Sequence, residues 1–254
     1  EIWAHHTYTH RVDTILADLG MAERRHRPPT IAPLISTNRP HRLRGALETV
    51  AAQEGVEIRP VILTHGFEAA DAARARAREL GLEATWMSAP ASASLGANYA
   101  AMLERVDADL IAKMDDDDLY SPHYLAEALA AIDYSGAGIV GKHAHYMHLS
   151  GSGLTVLRFP EWEHRYTSFV SGPTIVARID LARAVGFPDA SRGEDTALLR
   201  GAIDAGARVY STSRFGFVQR RGDAVDHTWA IDDAEILATS RISHWGPPGD
   251  GELP

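Results

Sequence analysis

The first feature of the chain beyond residue 29 is an alternation of short apolar segments with amphipathic ones. Residues 30–37 are an apolar run that predicts a strand, and the spacing of Leu43, Leu47 and Val50 then predicts a helix. The same pattern predicts strands at 57–64, 83–87 and 109–114 and helices at 69–80 and 95–106. Strands that alternate with amphipathic helices form βαβ units, so this half of the chain predicts a mostly parallel sheet with helices on both faces.

The pattern after residue 114 is less regular. Ser121 is expected to cap a helix that begins at Pro122 and continues to about residue 133. Further strands are predicted near 138–148, 155–159, 174–178 and 208–213, and a further helix at 195–205. The tail after Trp245 contains two prolines between glycines and is expected to be loose.

Composition removes several function classes. A chain of 254 residues, 45% hydrophobic and 23% charged, is an ordinary globular protein. The net charge of −9 argues against a nucleic-acid partner, because phosphate backbones need a clustered basic surface. No apolar run is long enough for a transmembrane segment. The chain has no cysteine, which excludes disulfides and thiolate metal sites and agrees with a cytoplasmic location.

Four consecutive aspartates, Asp115, Asp116, Asp117 and Asp118, directly follow the predicted strand 109–114. In open α/β sheets, ligands bind at the carboxyl ends of strands. Adjacent carboxylates repel one another unless a cation neutralises them, and Mn²⁺ or Mg²⁺ prefers such oxygen ligands. The alternative is a solvated acidic turn that favours the N-terminus of the next helix.

The segment 95–122 resembles the core of glycosyltransferase family 2. It has Gly96 and Asn98 at a helix start, then a strand that ends in the acidic run, then Pro122. The resemblance implies a GT-A type α/β fold with a less regular acceptor-binding half. It also implies a DXD-type motif, in which Asp117 binds the metal, and Asp115 and Asp116 lie near the ribose or share the metal.

The nucleotide-binding residues that the resemblance implies lie near the ends of two predicted strands. Thr37, Asn38 and Arg39 stand where the family's first strand presents a nucleoside-binding loop, and Asn98 belongs to the same core. The family often ends its second strand with an acidic pair, whereas this chain has Thr64 followed by His65. The nucleobase is therefore left open.

A second pair of carboxylates, Glu194 and Asp195, begins the predicted helix 195–205. Acidic residues in a first helical turn also offset the helix dipole, which is the purely structural interpretation. The segment 172–206, however, resembles the acceptor half of family 2. The resemblance implies that Asp195 is the general base of an inverting transfer and that Glu194 orients it or contacts the acceptor.

Basic and aromatic residues in the second half of the chain are further candidates for binding, although they match the family less specifically than the two carboxylate motifs do. Arg220 and Arg221 follow a strand-like segment, and His227 follows in the next loop. Related enzymes close such a loop over the diphosphate, so the two arginines are expected to bind nucleotide and His227 to complete the metal shell. The alternative is that all three are surface side chains. Trp162 and His164 are candidates for an acceptor pocket.

Residues 1–29 stand outside the alternation. Helical spacing up to Gly20 and a basic, proline-rich segment after it predict an N-terminal helix and linker, with a GT-A domain at 30–254. The surroundings of His5, Tyr8 and Arg11 weakly resemble the end of a GT-B type domain. The sequence therefore predicts that residues 1–29 are the remnant of a preceding domain, with a fused partner domain N-terminal to residue 1.

Together these residues predict a metal-dependent inverting glycosyltransferase. Its partners would be a nucleotide diphosphate sugar and an acceptor hydroxyl on a glycan, glycolipid or small-molecule glycoside. One alternative is a sugar nucleotidyltransferase, but that activity needs a glycine-rich loop after the first strand, and residues 36–40 contain no glycine. The other alternative is a non-catalytic module that binds a sugar nucleotide or a cation.

Overall fold

The structure is a computed structural model that describes residue 6 and residues 8–24, 28–222 and 233–253. Its strands, in chain order, are β1 Thr30–Thr37, β2 Glu57–Ile58, β3 Val61–His65, β4 Thr85–Ala89, β5 Leu110–Lys113, β6 Leu119–Tyr120, β7 Ile139–Gly141, β8 His145–Leu149, β9 Leu154–Arg158, β10 Arg165–Thr167, β11 Val176–Arg178, β12 Val209–Ser211, β13 Phe217–Arg221 and β14 Ser240–Trp245. Its α-helices are α1 Tyr8–Asp18, α2 Leu43–Ala51, α3 Asp71–Glu79, α4 Leu95–Leu103, α5 Tyr124–Ser135, α6 Ile179–Val185, α7 Glu194–Asp204 and α8 Asp233–Ala238.

Within the described residues the strands form a nine-stranded sheet and a five-stranded sheet. The larger sheet has the order β10-β12-β7-β11-β5-β1-β3-β4, and β2 pairs with β1. Strand β1 is parallel to both neighbours, so that Leu34 pairs with Val61 on one side and Lys113 on the other. Because β1, β3 and β5 are parallel, their carboxyl ends meet at one edge, and the acidic run follows β5 there.

The larger sheet is buried on both faces, as the sequence predicts. Alternate residues of β1 point to opposite sides: Ile31 and Ile35 belong to one apolar cluster, and Ala32 and Leu34 to the other. Helices α2 and α5 cover the first side, and α4 and α7 cover the second. The smaller sheet, in the order β14-β9-β8-β13-β6, packs its own apolar cluster around Val156.

Proline and glycine explain most of the differences from the predicted elements. The strand predicted at 57–64 is divided into β2 and β3, because Pro60 has no N–H to donate to a ladder. The strand predicted at 138–148 is two strands, β7 and β8, that belong to different sheets. Gly141 is the last residue of β7, and a Cβ there would overlap Val170, so only glycine fits where the chain leaves the larger sheet.

Two local predictions are wrong. Ser121 does not cap α5: its N–H donates to the Gly216 carbonyl, and its own carbonyl accepts from the N–H of Tyr124, the first residue of the helix. The tail after Trp245 is not loose, because Gly216 N–H donates to the Glu252 carbonyl at 2.8 Å.

Helix α1 has no buried residue, and the proposed domain boundary after residue 29 stays a prediction. No described helix is long and apolar enough to cross a membrane.

The start of α4 is fixed by close backbone approach. The Ser94 hydroxyl caps the helix by accepting from Ala97 N–H at 3.1 Å. Gly96 N–H donates to the Ala190 carbonyl at 2.9 Å, and a Cβ on Gly96 would overlap the carbonyl oxygen of Pro188. This contact positions the loop that leads into α7.

Gly96→Ala is therefore expected to destabilise the protein by about 1–3 kcal/mol, because the backbone of residues 188–190 must move. Gly45→Ala is the matched control: Gly45 lies in α2, and an added methyl group there would meet nothing within 4 Å, so the same change should stabilise by roughly 0.5–1 kcal/mol. Urea unfolding measures both. Equal effects of the two substitutions would contradict the close approach at Gly96.

Candidate active site

A cleft of about 460 Å³ opens where the parallel strands end. Its floor is formed by the residues that follow β1 and β5, and one side by the segment 171–173 and the start of α7. Residues of three strands of the smaller sheet, β8, β9 and β13, also line the cleft. The cleft thus brings together the two carboxylate groups that the sequence singles out.

Three of the four consecutive aspartates converge in this cleft. Oxygen atoms of Asp115, Asp117 and Asp118 lie within 4.8 Å of one another. The Asp118 carboxylate accepts the N–H of Arg220 at 2.8 Å, which ties the acidic run to β13. The Asp115 N–H donates to the Tyr120 hydroxyl at 2.9 Å, so the turn between β5 and β6 is held from within.

The fourth aspartate, Asp116, points away from this group. The Thr37 hydroxyl donates to it, and the Arg39 guanidinium forms an ion pair with it. Arg39 also donates to the Asp117 carboxylate at 2.6 Å. Thr37 and Arg39, at the end of β1, therefore fix the acidic run through hydrogen bonds and ion pairs, and the nucleotide-binding role expected of them stays a prediction.

Burial and the neighbouring charges raise the pKa values of two carboxylates of the run, Asp115 and Asp118. Burial, opposed by the charge of Lys113 and reinforced by Asp117, raises the pKa of Asp115 to about 7. Burial and the charges of Asp115 and Asp117 raise the pKa of Asp118 well above its ordinary value. The oxygen atoms of three crowded carboxylates are the donor set that fits a hard divalent cation such as Mn²⁺ or Mg²⁺.

The second carboxylate pair, Glu194 and Asp195, lies in the first turn of α7 and faces the same cleft. Asp195 forms an ion pair with Lys113 of β5, whose ammonium group is also 3.8 Å from a Glu194 oxygen. Burial and the charge of Asp195 raise the pKa of Glu194. A Cβ on Gly172 would overlap the Asp195 carboxylate, so the absence of a side chain there makes room for it.

Lys113 is the site residue that the sequence pattern does not single out. Its side chain is only 2% exposed, and its ammonium nitrogen lies 4.3 Å from the centre of the Tyr99 ring. The sequence does carry a signal, since a lysine inside an apolar strand needs a buried partner. What the sequence does not reveal is which carboxylate, 82 positions away, provides that partner.

The other predicted nucleotide-binding residues are distributed unevenly. Arg220 and Arg221 both line the cleft from β13. Asn38 is exposed after β1, whereas Asn98 is buried and donates to the Ser36 hydroxyl at 3.3 Å, away from the cleft lining. His227 lies outside the described residues. The roles given to these residues stay predictions.

The smaller sheet contributes neutral polar groups and aromatic rings. His145 and Gln219 line the cleft, and burial together with the charge of Arg158 lowers the pKa of His145 to about 4. Trp162 is not among the residues that line this cleft; its ring stacks on His143 at 4.6 Å, and its expected place in an acceptor pocket stays a prediction. His164 is exposed.

Comparison with solved structures shows the fold. TarS 1-349 of S. aureus in complex with UDP-GlcNAc matches with a TM-score of 0.61 and 15% identity over 83% of this chain and 64% of that one. The mannosyltransferase PcManGT of Pyrobaculum calidifontis, in complex with GDP-Man and Mn²⁺, matches with a TM-score of 0.61 and 17% identity over 84% and 63%. The chain thus spans less than two thirds of either structure. No protein-family profile matches the sequence, and no curated protein does. The expected GT-A type α/β fold is confirmed.

The raised pKa of Asp115 predicts how metal-free stability changes with pH. Its folded pKa of about 7 exceeds its unfolded value, so the unfolded state releases this proton first and stability is lost as pH rises from about 4 to 7. Asp115→Asn stays neutral and should become progressively more stable than the wild type over that interval, with a constant difference above it. Urea unfolding in EDTA measures the difference, and a difference that does not change with pH would contradict the assignment.

Proposed function

We propose that this chain is a metal-dependent inverting glycosyltransferase that moves a sugar from a nucleoside diphosphate to an acceptor hydroxyl. The observation that carries the proposal is the meeting of two carboxylate groups in one cleft: the crowded Asp115, Asp117 and Asp118, and the separate Asp195. The likeness in fold to structures that hold UDP-GlcNAc, or GDP-Man with Mn²⁺, supports a sugar nucleotide as donor.

The donor side of the proposal is the acidic run. Asp115, Asp117 and Asp118 would hold Mn²⁺ or Mg²⁺, which when bound neutralises charge on the departing diphosphate. Arg220 and Arg221 line the same cleft, and guanidinium groups match phosphate oxygens. Thr37 and Arg39 keep Asp116 and Asp117 in place, so the loop after β1 shapes the donor site.

The acceptor side is the start of α7. Asp195 would take the proton of the acceptor hydroxyl as its oxygen bonds to the anomeric carbon. The bond from that carbon to the phosphate oxygen breaks, and the nucleoside diphosphate leaves with the bonding electrons. Because this is a single displacement, the product has the inverted configuration. Glu194, whose pKa is raised, would orient the acceptor beside the base.

Lys113 would act through Asp195. The Lys113 ammonium group binds the Oδ1 atom of Asp195, and Gly172 leaves room for the Oδ2 atom. The Asp195 carboxylate is thereby held in one orientation. The positive charge of Lys113 also lies between Asp195 and the acidic run, where it lowers the repulsion between them. We therefore include Lys113 as a positioning residue rather than a catalytic one.

The two alternative functions find less support. A nucleotidyltransferase needs a loop after β1 whose backbone N–H groups surround phosphates, whereas here Thr37 and Arg39 direct their side chains to the acidic run. A non-catalytic module has no use for a second carboxylate that lines the cleft and is paired with a buried lysine. Transfer activity, measured together with donor binding, separates all three.

Asp195→Asn should impair the rate of transfer, whereas Asp117→Asn should impair the binding of metal and donor. Asp195→Asn removes the proton acceptor and should lower kcat about 10²- to 10⁴-fold while donor affinity barely changes. Asp117→Asn should weaken Mn²⁺ and donor binding by at least about tenfold. Calorimetry with UDP and GDP, with Mn²⁺ or EDTA, and a donor-consumption assay measure both.

Asp204→Asn, at the exposed far end of the same helix, is the control and should leave both measurements unchanged. A near-normal rate of transfer by Asp195→Asn would show that Asp195 is not the general base. Nucleotide binding that is equally tight with Mn²⁺ and with EDTA would remove the metal from the proposal.

A double-mutant cycle tests Lys113. Lys113→Met should lower kcat roughly 100-fold in the wild-type background, because a misplaced base loses its alignment. In the Asp195→Asn background the same change should cost about twofold or less, since no base remains to be positioned. Lys113→Arg, which keeps the charge, should recover part of the rate. If the decreases in kcat of the two single mutants multiply in the double mutant, Lys113 acts independently of Asp195 and is not its positioning residue. Thermal unfolding checks that each variant is folded.

A further inference from the structure

Two phenylalanine rings, Phe159 and Phe169, line the cleft. Phe159 follows β9, and Phe169 lies before the segment that contacts Asp195. The His143 ring touches both, with ring centres 5.1 Å from Phe159 and 5.2 Å from Phe169. Trp162 stacks on His143 at 4.6 Å. We call Phe159 and Phe169, with these two supporting rings, the aromatic shelf.

The shelf is a fixed feature of the fold. Phe159 has a φ of 46°, a left-handed conformation that is rare for an aromatic residue and costs energy. Its surroundings hold it there: its N–H donates to the Thr239 carbonyl at 3.0 Å, and the Arg158 guanidinium lies 4.6 Å from the centre of its ring. Strained backbone of this kind concentrates at binding sites.

Phe169 itself remains accessible. It is 40% exposed although it packs against His143, so one part of its ring is free to meet a ligand. It precedes by three residues Gly172, which lies against the Asp195 carboxylate. Three extended residues span at most about 11 Å, so the backbone of Phe169 lies within that distance of Gly172, which adjoins the Asp195 carboxylate.

The polar groups beside the shelf suit hydroxyls. His145 and Gln219 line the same wall of the cleft. Because burial and the charge of Arg158 lower the pKa of His145 to about 4, its ring is neutral at physiological pH. Neutral imidazole and amide groups both donate and accept hydrogen bonds, which matches the hydroxyls of a sugar.

The geometry points to an acceptor subsite in which the aromatic shelf packs against a sugar ring while the adjoining sugar presents its hydroxyl to Asp195. Its ligand is a glycoside of at least two sugars: the C–H face of one pyranose packs on the shelf with its edge hydroxyls towards Gln219, and the adjoining sugar carries the reacting hydroxyl. This inference rests on the proposed function, for which the same cleft would bind the donor.

Saturation-transfer NMR tests the subsite with defined probes. The protein, saturated with UDP and Mn²⁺, is mixed in turn with methyl glycosides of glucose, galactose, mannose and N-acetylglucosamine, with cellobiose, lactose and chitobiose, and with ribitol as a polyol without a ring. At least one disaccharide should receive saturation on the ring C–H groups of one sugar, and bind more tightly than its monosaccharide. Phe169→Leu should weaken that binding about tenfold.

Matched variants separate the ring from general packing. Phe169→Tyr keeps a ring and should bind like the wild type. Phe215→Leu is the control, because Phe215 is also 40% exposed but packs on Tyr146 outside the cleft lining, and it should have no effect. The subsite is refuted if no sugar receives saturation, if ribitol does so equally, or if Phe169→Leu and Phe215→Leu behave alike.

Nucleotide titration of the same samples keeps the two proposals apart. If a disaccharide binds at the shelf but neither UDP nor GDP binds with Mn²⁺, the proposed transfer fails and the shelf is a sugar site of another kind. If UDP or GDP binds and Phe169→Leu leaves both donor and sugar affinities unchanged, the transfer stands and the shelf is refuted.

Discussion

The ion pair between Lys113 and Asp195 joins the two halves of this molecule. Lys113 belongs to β5, in the parallel part of the larger sheet, whereas Asp195 begins α7 in the less regular second half. A buried lysine must have a carboxylate partner, and this pair places Asp195 next to the acidic run that follows the same strand. This charged contact thereby ties the proposed base directly to the strand that carries the proposed metal site.

A second set of contacts closes the same junction. The Tyr120 hydroxyl accepts from Asp115 N–H and donates to the Pro173 carbonyl at 2.9 Å, so one side chain links the acidic run to the segment that lies against Asp195. Gly172, the neighbour of Pro173, has no side chain to displace that carboxylate. Asp116 is bound by Thr37 and Arg39, and the other three aspartates of the acidic run lie together in the cleft.

The sequence predicts the parts of this fold that local pattern determines. The bounds of β1 agree with the prediction, because its apolar run is unbroken, and the acidic run lies at the carboxyl end of β5 as expected. Pattern alone does not show where the chain changes sheets, so it predicts β7 and β8 as one strand. Contacts between distant residues are also invisible to it, which is why it reveals neither the carboxylate partner of Lys113 nor the cleft-lining Phe159 and Phe169.

The proposed function requires the acidic run to hold a metal-bound diphosphate in front of Asp195. Anomalous diffraction at the manganese edge, from crystals grown with Mn²⁺ and UDP, shows where both bind. We expect the strongest manganese peak among the carboxylate oxygens of Asp115, Asp117 and Asp118, with the diphosphate of UDP bound to it in the cleft. Manganese bound elsewhere, with UDP away from the acidic run, would refute the proposed donor site.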